Sequence, residues 1–373
     1  MLHFNKLMIV VSLIMTLLPH SFAHAQDKQP FDLGASYEMG YQPTPLKGGD
    51  GSSAKQRLTF NILADTAALV GLENGSVFFQ YQNHNGEHGV NNVGDIQQFD
   101  GLDDPEYNRI HMFWYQHILL DGDLRVKVGK VEPKSEFFAP ENARNHLGFS
   151  TERSPTIIAQ GPPSMSINAF YSPTDNLTLA VGVYDASWNQ GADQNNFKLR
   201  NFFDAEDYAY FLEGRYTWTQ GLNNLPGGIK VGAWQLDGTV IEFDGNQKEN
   251  TSGLYFVYDQ DISDNGVGVY AQFGLADKKV SNLSRHVGLG MQWKGPIASR
   301  MDDVFGAGIS TVKFSSSQGS PFLKDSETAF EVFYKAPLKN WFIVQADLQY
   351  ITNPGGQTHD NVLVSTFRAT LAF

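Results

Sequence analysis

The sequence has 373 residues (41.5 kDa), of which 41% are hydrophobic, 18% charged and 13% aromatic; it contains 36 glycines and no cysteine. Without cysteine there is no disulfide scaffold, thiolate metal site or cysteine nucleophile. A net charge of −13 has the wrong sign for coating a phosphate backbone, which excludes nucleic acid as a partner.

The chain opens on a targeting pattern. Lys6 supplies a positive start, Leu7 to Leu18 is an apolar run broken only by Ser12 and Thr16, and Ala23-His24-Ala25 provides a cleavage site. Residues 1–25 therefore read as a signal peptide, with a mature chain of 26–373 beginning at Gln26. The apolar run falls well short of the ~20 residues a spanning helix needs. No later segment is apolar enough to span a membrane as a helix. Two exported classes fit such a chain: a soluble periplasmic protein and an outer-membrane barrel.

Period-2 alternation decides between them. Strands are expected at 31–41, 55–63, 75–82, 109–119, 124–130, 165–172, 177–185, 208–218, 228–237, 252–261, 266–276, 285–294, 304–314, 327–336, 341–352 and 361–373. In the last, Leu363, Phe367, Ala369, Leu371 and Phe373 share one face, while Val364, Thr366, Arg368, Thr370 and Ala372 take the other. Alternation in roughly ten-residue units, with no helical segment to cover the apolar faces, predicts an all-β fold: a transmembrane antiparallel β-barrel of about 16 strands. The connections agree, since such barrels pair short periplasmic turns with long external loops. Tight turns occur at Asp121-Gly122-Asp123, Pro173-Thr174-Asp175-Asn176, Ile262 to Asn265 and Pro337-Leu338-Lys339-Asn340. Longer connections lie at 42–54, 83–108, 131–164, 186–207, 238–251 and 315–326. The gaps at 64–74, 219–227 and 295–303 are long for turns, and 277–284 and 353–360 short for loops. Tyr216, Trp218, Trp293, Trp341 and Tyr350, near strand ends, fit the aromatic girdles at the membrane interfaces.

Several stretches resemble a known family. Val126-Lys127-Val128-Gly129-Lys130, Pro173-Thr174-Asp175-Asn176-Leu177-Thr178 running into Gly182-Val183-Tyr184-Asp185, and Asp302 to Ile309 resemble the OprB-type carbohydrate-selective porins of bacterial outer membranes. So do Asp347-Leu348-Gln349-Tyr350-Ile351 with Asn353-Pro354-Gly355-Gly356, and the closing Thr366 to Phe373. The resemblance runs from about residue 124 to the end, with a looser match before it. It implies a sixteen-stranded channel in the cell outer membrane that passes small neutral sugars, monosaccharides such as glucose, by passive diffusion. The alternative is a general-diffusion porin without sugar preference. The family's sugar contacts form no motif that transfers residue by residue.

Sixteen strands leave an aqueous lumen, so selectivity must come from a constriction. The candidate is the third external loop, 131–164, carrying Glu132, Lys134, Glu136, Glu141, Arg144, Glu152 and Arg153 with Phe137, Phe138 and Phe149 between them. It folds inward, or else forms an extracellular flap. Strand phase turns Arg57, Asn61, Arg109, His111, Arg125, Lys127 and Asn168 toward the lumen on one wall. On the other it turns Glu213, Arg215, Lys230, Trp234, Glu331, Lys335, Gln345, Asp347, Gln349 and Arg368 inward. Arg57, Arg109, Arg125 and Lys127 are expected as a basic cluster facing Glu132 and Glu136 across the narrowing. Guanidinium and amide groups hydrogen-bond a hydroxyl-rich solute, and contacts must stay weak enough for exit.

No catalytic residues, metal or cofactor are expected, and the chain is not read as an enzyme. His84 and His88 have zinc-ligand spacing only on a helix, whereas Asn85-Gly86-Glu87 suggests a solvated loop. Asp259, Asp261 and Asp264 before Gly266 faintly resemble a calcium loop, but a hairpin turn explains them. One sequence does not separate surfaces that meet outer-membrane lipid from surfaces that pack in a homo-oligomer.

Overall fold

The computed structural model describes residues 30–190 and 199–373; the expected signal peptide and its cleavage site lie outside the described residues. Sixteen strands form one antiparallel closed barrel. They are β1 (Phe31–Gln42), β2 (Ser53–Asp65), β3 (Gly75–Gly86), β4 (Tyr107–Leu119), β5 (Leu124–Val131), β6 (Ser164–Thr174), β7 (Leu177–Asp185) and β8 (Tyr208–Trp218). The second half comprises β9 (Gly227–Ile241), β10 (Gln247–Ser263), β11 (Val267–Ala276), β12 (Leu283–Lys294), β13 (Val304–Phe314), β14 (Ser326–Lys339), β15 (Phe342–Thr352) and β16 (Val362–Ala372). Each strand pairs with its sequence neighbours, and β1 closes the ring on β16, from Ser36 opposite Ala372 to Tyr41 opposite Phe367. Closure leaves no unpaired edge, which a sheet in lipid could not tolerate.

The expected strands are all present, and β3, β9 and β10 run on furthest beyond their expected bounds. The β9–β10 hairpin extends to Ile241 opposite Gln247, because the β-branched Thr239-Val240-Ile241 continues the ladder past the bend at Gly238. The three turns that looked too long carry structure of their own. In 66–74 a helical turn, Thr66–Val70, is capped by Asp65, whose carboxylate accepts from the Ala67 N–H at 2.9 Å. In 219–226 the chain folds back onto β10, the Asp261 N–H donating to the Pro226 carbonyl at 3.0 Å. In 295–303 an Ile297–Arg300 bridge and an Arg300–Asp303 ion pair (2.6 Å) close the turn.

Alternation sorts the side chains as lipid and water require. Leu212, Val231, Leu254, Val332 and Phe367 are exposed on the outer surface, while Glu213, Gln272, His286, Glu331 and Gln349 are buried inside. Tyr216, Trp293 and Trp341 are exposed near strand ends, as girdle residues should be, whereas Trp218 turns its indole N–H to Gln260 at 2.9 Å. His84 corrects a sequence expectation: it lies on β3, opposite Arg57 and Tyr107, buried with its Nε2 at 2.8 Å from the Leu102 carbonyl. Gly86 ends that strand rather than marking a solvated loop.

Leu212, 63% exposed and midway along β8, offers a test of the lipid-facing surface. Leu212→Lys should destabilise the barrel by about 2–4 kcal/mol, the cost of a cation at the bilayer midplane. Equilibrium refolding into lipid bilayers against denaturant measures it.

Candidate functional site

The loop between β5 and β6, here L3 (132–163), enters the lumen instead of standing above it. A loop buried there must find partners for its backbone groups, and the barrel wall supplies them from inward carboxylates. Glu213 accepts from the Phe138 N–H at 2.9 Å, Asp259 from Glu141 and Asn142 at 3.0 and 2.8 Å, and Glu331 from Leu147 at 2.6 Å. Wall amides serve the carbonyls: Gln272 donates to Thr151 at 2.7 Å and Gln345 to Asn145 at 2.8 Å. Two inward glycines make room. A Cβ at Gly182 would lie 2.9 Å from the Phe137 ring, and one at Gly308 would lie 2.8 Å from Thr151.

Apolar packing and charge hold the start of L3. Phe137, Phe138 and Ile157 join Phe170, Tyr184, Phe211, Trp234 and Tyr255 in a buried cluster, with Phe137 stacked on Phe211 at 5.3 Å. Beside it Glu136 receives Arg125 at 2.9 Å and Lys127 at 2.5 Å. Those cations also lie over aromatic faces, Arg125 over Phe170 at 3.6 Å and Lys127 over Trp114 at 3.8 Å. Arg215 completes the clamp through Glu213 and the Glu136 carbonyl.

A second loop, L2 (87–106) between β3 and β4, also folds inward, which the sequence reading did not anticipate. Glu327 accepts from the Ile96 and Gln97 N–H groups, both at 3.1 Å, and Gln349 donates to the Phe99 carbonyl at 2.6 Å. Asp103 pairs with the buried Lys55 at 2.7 Å, and Asp100 with Arg368 and, at 3.5 Å, Lys55. The two loops bond each other: Gly101 N–H to the Leu147 carbonyl (2.8 Å) and Phe149 N–H to the Gln98 carbonyl (2.9 Å). The only sequence signal was Asp95, Asp100, Asp103 and Asp104 among Val93, Ile96, Phe99 and Leu102, a mixture too apolar for a solvated loop.

Between L3 and the wall formed by β1–β4 and β14–β16 lies a polar cavity of about 380 Å³. Glu38, Arg57, Tyr107, Arg109, His111, Lys335, Gln345 and Arg368 line it from the wall; Glu132, Lys134, Glu152 and Arg153 line it from L3. Arg57 is paired with Glu38 at 2.6 Å and Lys134 with Glu152 at 3.1 Å, Arg109 lies over Tyr107 at 3.9 Å, and Arg153 over Phe149 at 3.7 Å. A second compartment of about 710 Å³, lined by Arg215, Lys230, Asp259, Gln292 and Lys294, opens beyond L3 at the short-turn end.

This geometry divides the expected site residues. Arg57, Arg109, His111, Glu132 and Gln345 line the 380 Å³ cavity. Arg125, Lys127, Glu136, Glu213 and Arg215 form the clamp on L3, so the expected single basic cluster is two separate groups. Trp234 is 2% exposed within the aromatic cluster, and Asp347 and Gln349 are buried beneath L2 and L3. Sequence reasoning missed Glu38 as a wall residue, and it gave no roles to Lys134, Glu152 and Arg153 within L3. Among the described residues no group of three or more His, Asp or Glu is placed to hold a metal ion.

The L3 carboxylates have displaced acidities. Burial pushes Glu132 upward, but Lys134, His111 and Arg153 outweigh it and hold the group well below the usual carboxylate range. Burial also raises Glu152, and Lys134 with Arg153 again bring it below that range. Groups depressed in the folded state stabilise it above the unfolded value of about 4.3 and lose that contribution as pH falls through their lower folded values. Single-channel conductance should therefore stay flat from about pH 7 to 5 and change only below about pH 4, where the L3 charge pattern is lost. Glu136→Gln should act at neutral pH. It leaves Arg125 and Lys127 without their carboxylate, at a cost of up to about 3–5 kcal/mol for breaking a buried pair. L3 is then released, conductance rises and Arg144 becomes cleavable by trypsin in the folded barrel.

Comparison with known proteins agrees with this architecture. A family model described as carbohydrate-selective porin, OprB family, matches residues 50–373. Porin B of Pseudomonas aeruginosa is 22% identical over 312 residues, covering 71% of this chain and 68% of that protein. The high-pH structure of Pseudomonas putida OprB superposes with a TM-score of 0.81 at 18% identity, covering 92% of this chain and 94% of that one. The low-pH structure of the same protein gives 0.62 at 16% identity, covering 92% and 93%. A mutant porin of Rh. blastica gives 0.54 at 12% identity, covering 92% and 100%. With a closed sixteen-stranded barrel narrowed by infolded loops, and a family match over most of its length, the chain belongs to the OprB family of carbohydrate-selective porins.

Proposed function

We propose that this porin is a passive diffusion channel for small neutral monosaccharides such as glucose, placed in the outer membrane after signal cleavage behind Ala25, and that it has no enzymatic step. The observation that carries this reading is the polar cavity beside L3. At about 380 Å³ it lies at the small end of the roughly 300–1,000 Å³ range of small-molecule sites. That size suits a single sugar ring better than an oligosaccharide. Its charged groups are largely paired, Arg57 with Glu38 and Lys134 with Glu152. They therefore present oriented donors and acceptors rather than one sign of charge. A polyol exchanges the waters on such a wall for hydroxyl contacts, whereas an ion must shed hydration against mixed charges.

Aromatic faces at the cavity are taken by cations, Tyr107 by Arg109 and Phe149 by Arg153, and so are not free to stack on a sugar ring. Recognition then rests on hydrogen bonding, with Arg57, Arg109, His111, Glu132 and Gln345 as the contacts proposed from the sequence. Glu38, Lys134, Glu152 and Arg153 are added from the cavity lining.

Liposome swelling with hexoses, neutral amino acids and alditols of similar size tests the reading. Hexoses should enter fastest, and glucose should reduce ion current through single channels. Arg109→Ala, which removes a wall donor, should raise conductance and weaken glucose block severalfold; Arg125→Ala should do so only by loosening L3. Equal rates for all neutral solutes of one size, with no block by glucose, would instead favour a general-diffusion porin.

A further inference from the structure

On its outer surface the barrel carries a charge arrangement that sugar passage does not use. Arg285 on β12 and Lys313 on β13 stand directly opposite each other and are both exposed. They share the outward phase of Val287, Leu289 and Trp293, while the intervening His286 and Val312 are buried inside. Like charges at opposed cross-strand positions are unfavourable on their own. Among the described residues neither cation has a salt-bridge partner, although rim lysines nearby do: Lys248 pairs with Asp277 at 2.6 Å and Lys279 with Glu242 at 3.5 Å.

The pair closes the regular β12–β13 ladder, which runs unbroken from Lys294 opposite Val304 to Arg285 opposite Lys313, and a β-bulge follows it. Leu283 pairs with Phe314 and Arg285 with Lys313, leaving Ser284 as the extra residue. The Ser284 hydroxyl donates to the Lys313 and Phe314 carbonyls at 3.1 and 3.2 Å, which fixes the irregularity. The bulge thus ends the regular pairing directly above the two cations, at the loop end of the ladder.

Height on the barrel identifies what meets the pair. From Trp293, at the short-turn end of β12, to Arg285 the strand climbs roughly 20 Å, at about 3.3 Å per residue on a strand tilted by about 40°. The apolar band of such barrels is about 25 Å tall. Val287, Leu289 and Trp293 fill that band below the pair, and long cationic side chains at its edge extend into the headgroup layer. We propose that Arg285 and Lys313 form a phosphate-binding site for a phosphorylated glycolipid of the outer leaflet, of the lipid A type, with Ser326, next in the same row, as a hydroxyl neighbour. The proposal rests on the outer-membrane placement proposed above, not on sugar selectivity.

The test uses the intact barrel in neutral detergent, titrated with deep-rough lipopolysaccharide and followed by native mass spectrometry. Arg285→Gln/Lys313→Gln should bind roughly thirtyfold more weakly, about fivefold for each basic residue lost at a membrane surface. Arg285→Lys should retain binding, and Lys339→Gln at the opposite rim should leave it unchanged. Dephosphorylated lipid should bind the native protein no better than intact lipid binds the double variant. Heat-modifiable migration checks that each variant is folded. Equal affinity of the double variant, or undiminished binding of dephosphorylated lipid, overturns the proposal. So does complete displacement by millimolar inorganic phosphate, which would indicate an adventitious ion only. Conversion of an oligomer to monomers in the double variant would assign the pair to a protein contact instead. Sugar-dependent swelling should be unaffected, so failure of sugar selectivity and failure of lipid binding are separately visible.

Discussion

The architecture turns on one constraint: backbone N–H groups carried into the lumen must be bonded, and inward carboxylates bond them. Glu213, Asp259, Glu331 and Glu327 each face inward from a strand and accept from main-chain N–H groups of L2 or L3. Charge-assisted bonds of this kind are roughly twice as strong as neutral ones, and a buried carboxylate without them would be costly. Anchoring from β8, β10 and β14 pulls L3 across the barrel, and the Phe137–Phe138 cluster fills the β5–β10 side beneath it. The passage is what remains between L3 and the opposite wall.

The same constraint explains why charged residues serve different purposes at equal depth in the wall. Arg125 and Lys127 are spent on Glu136 and on the rings of Phe170 and Trp114, so they hold L3 in place. Arg57 and Arg109, on the strands facing the open side, keep their guanidinium groups at the cavity. L2 stiffens the arrangement through Lys55 and Arg368, whose partners Asp100 and Asp103 belong to the loop. An acidic chain thus presents cations locally, where loop carboxylates face them.

Strand number and phase were legible because lipid outside and water inside impose alternation on every strand; β16, with Phe367 and Leu371 out and Thr366 and Arg368 in, shows this most simply. The long β9–β10 hairpin was not, because Gly238 signals a bend but does not say whether pairing resumes beyond it. The site was less legible for a physical reason. Strand phase states that Arg57 and Arg125 both point inward, but not which meets open water and which meets a loop. That depends on where 87–106 and 132–163 fold, and their anchors sit on strands far away in sequence, as with Gln97 and Glu327. Trp234 illustrates the consequence: its inward phase is right, yet the Phe137–Phe138 cluster covers it.

Open space runs on the Arg57–Arg109 side of L3, and the aromatic side is closed. Because the chain lacks cysteine, thiols introduced singly report this without background. Arg57→Cys, Arg153→Cys, Trp234→Cys and Tyr255→Cys channels would be exposed in planar bilayers to a small cationic thiosulfonate reagent. Positions 57 and 153 should react rapidly with a stepwise fall in current, and positions 234 and 255 should not react. Current loss at 234 and 255 matching that at 57 and 153 would contradict this arrangement.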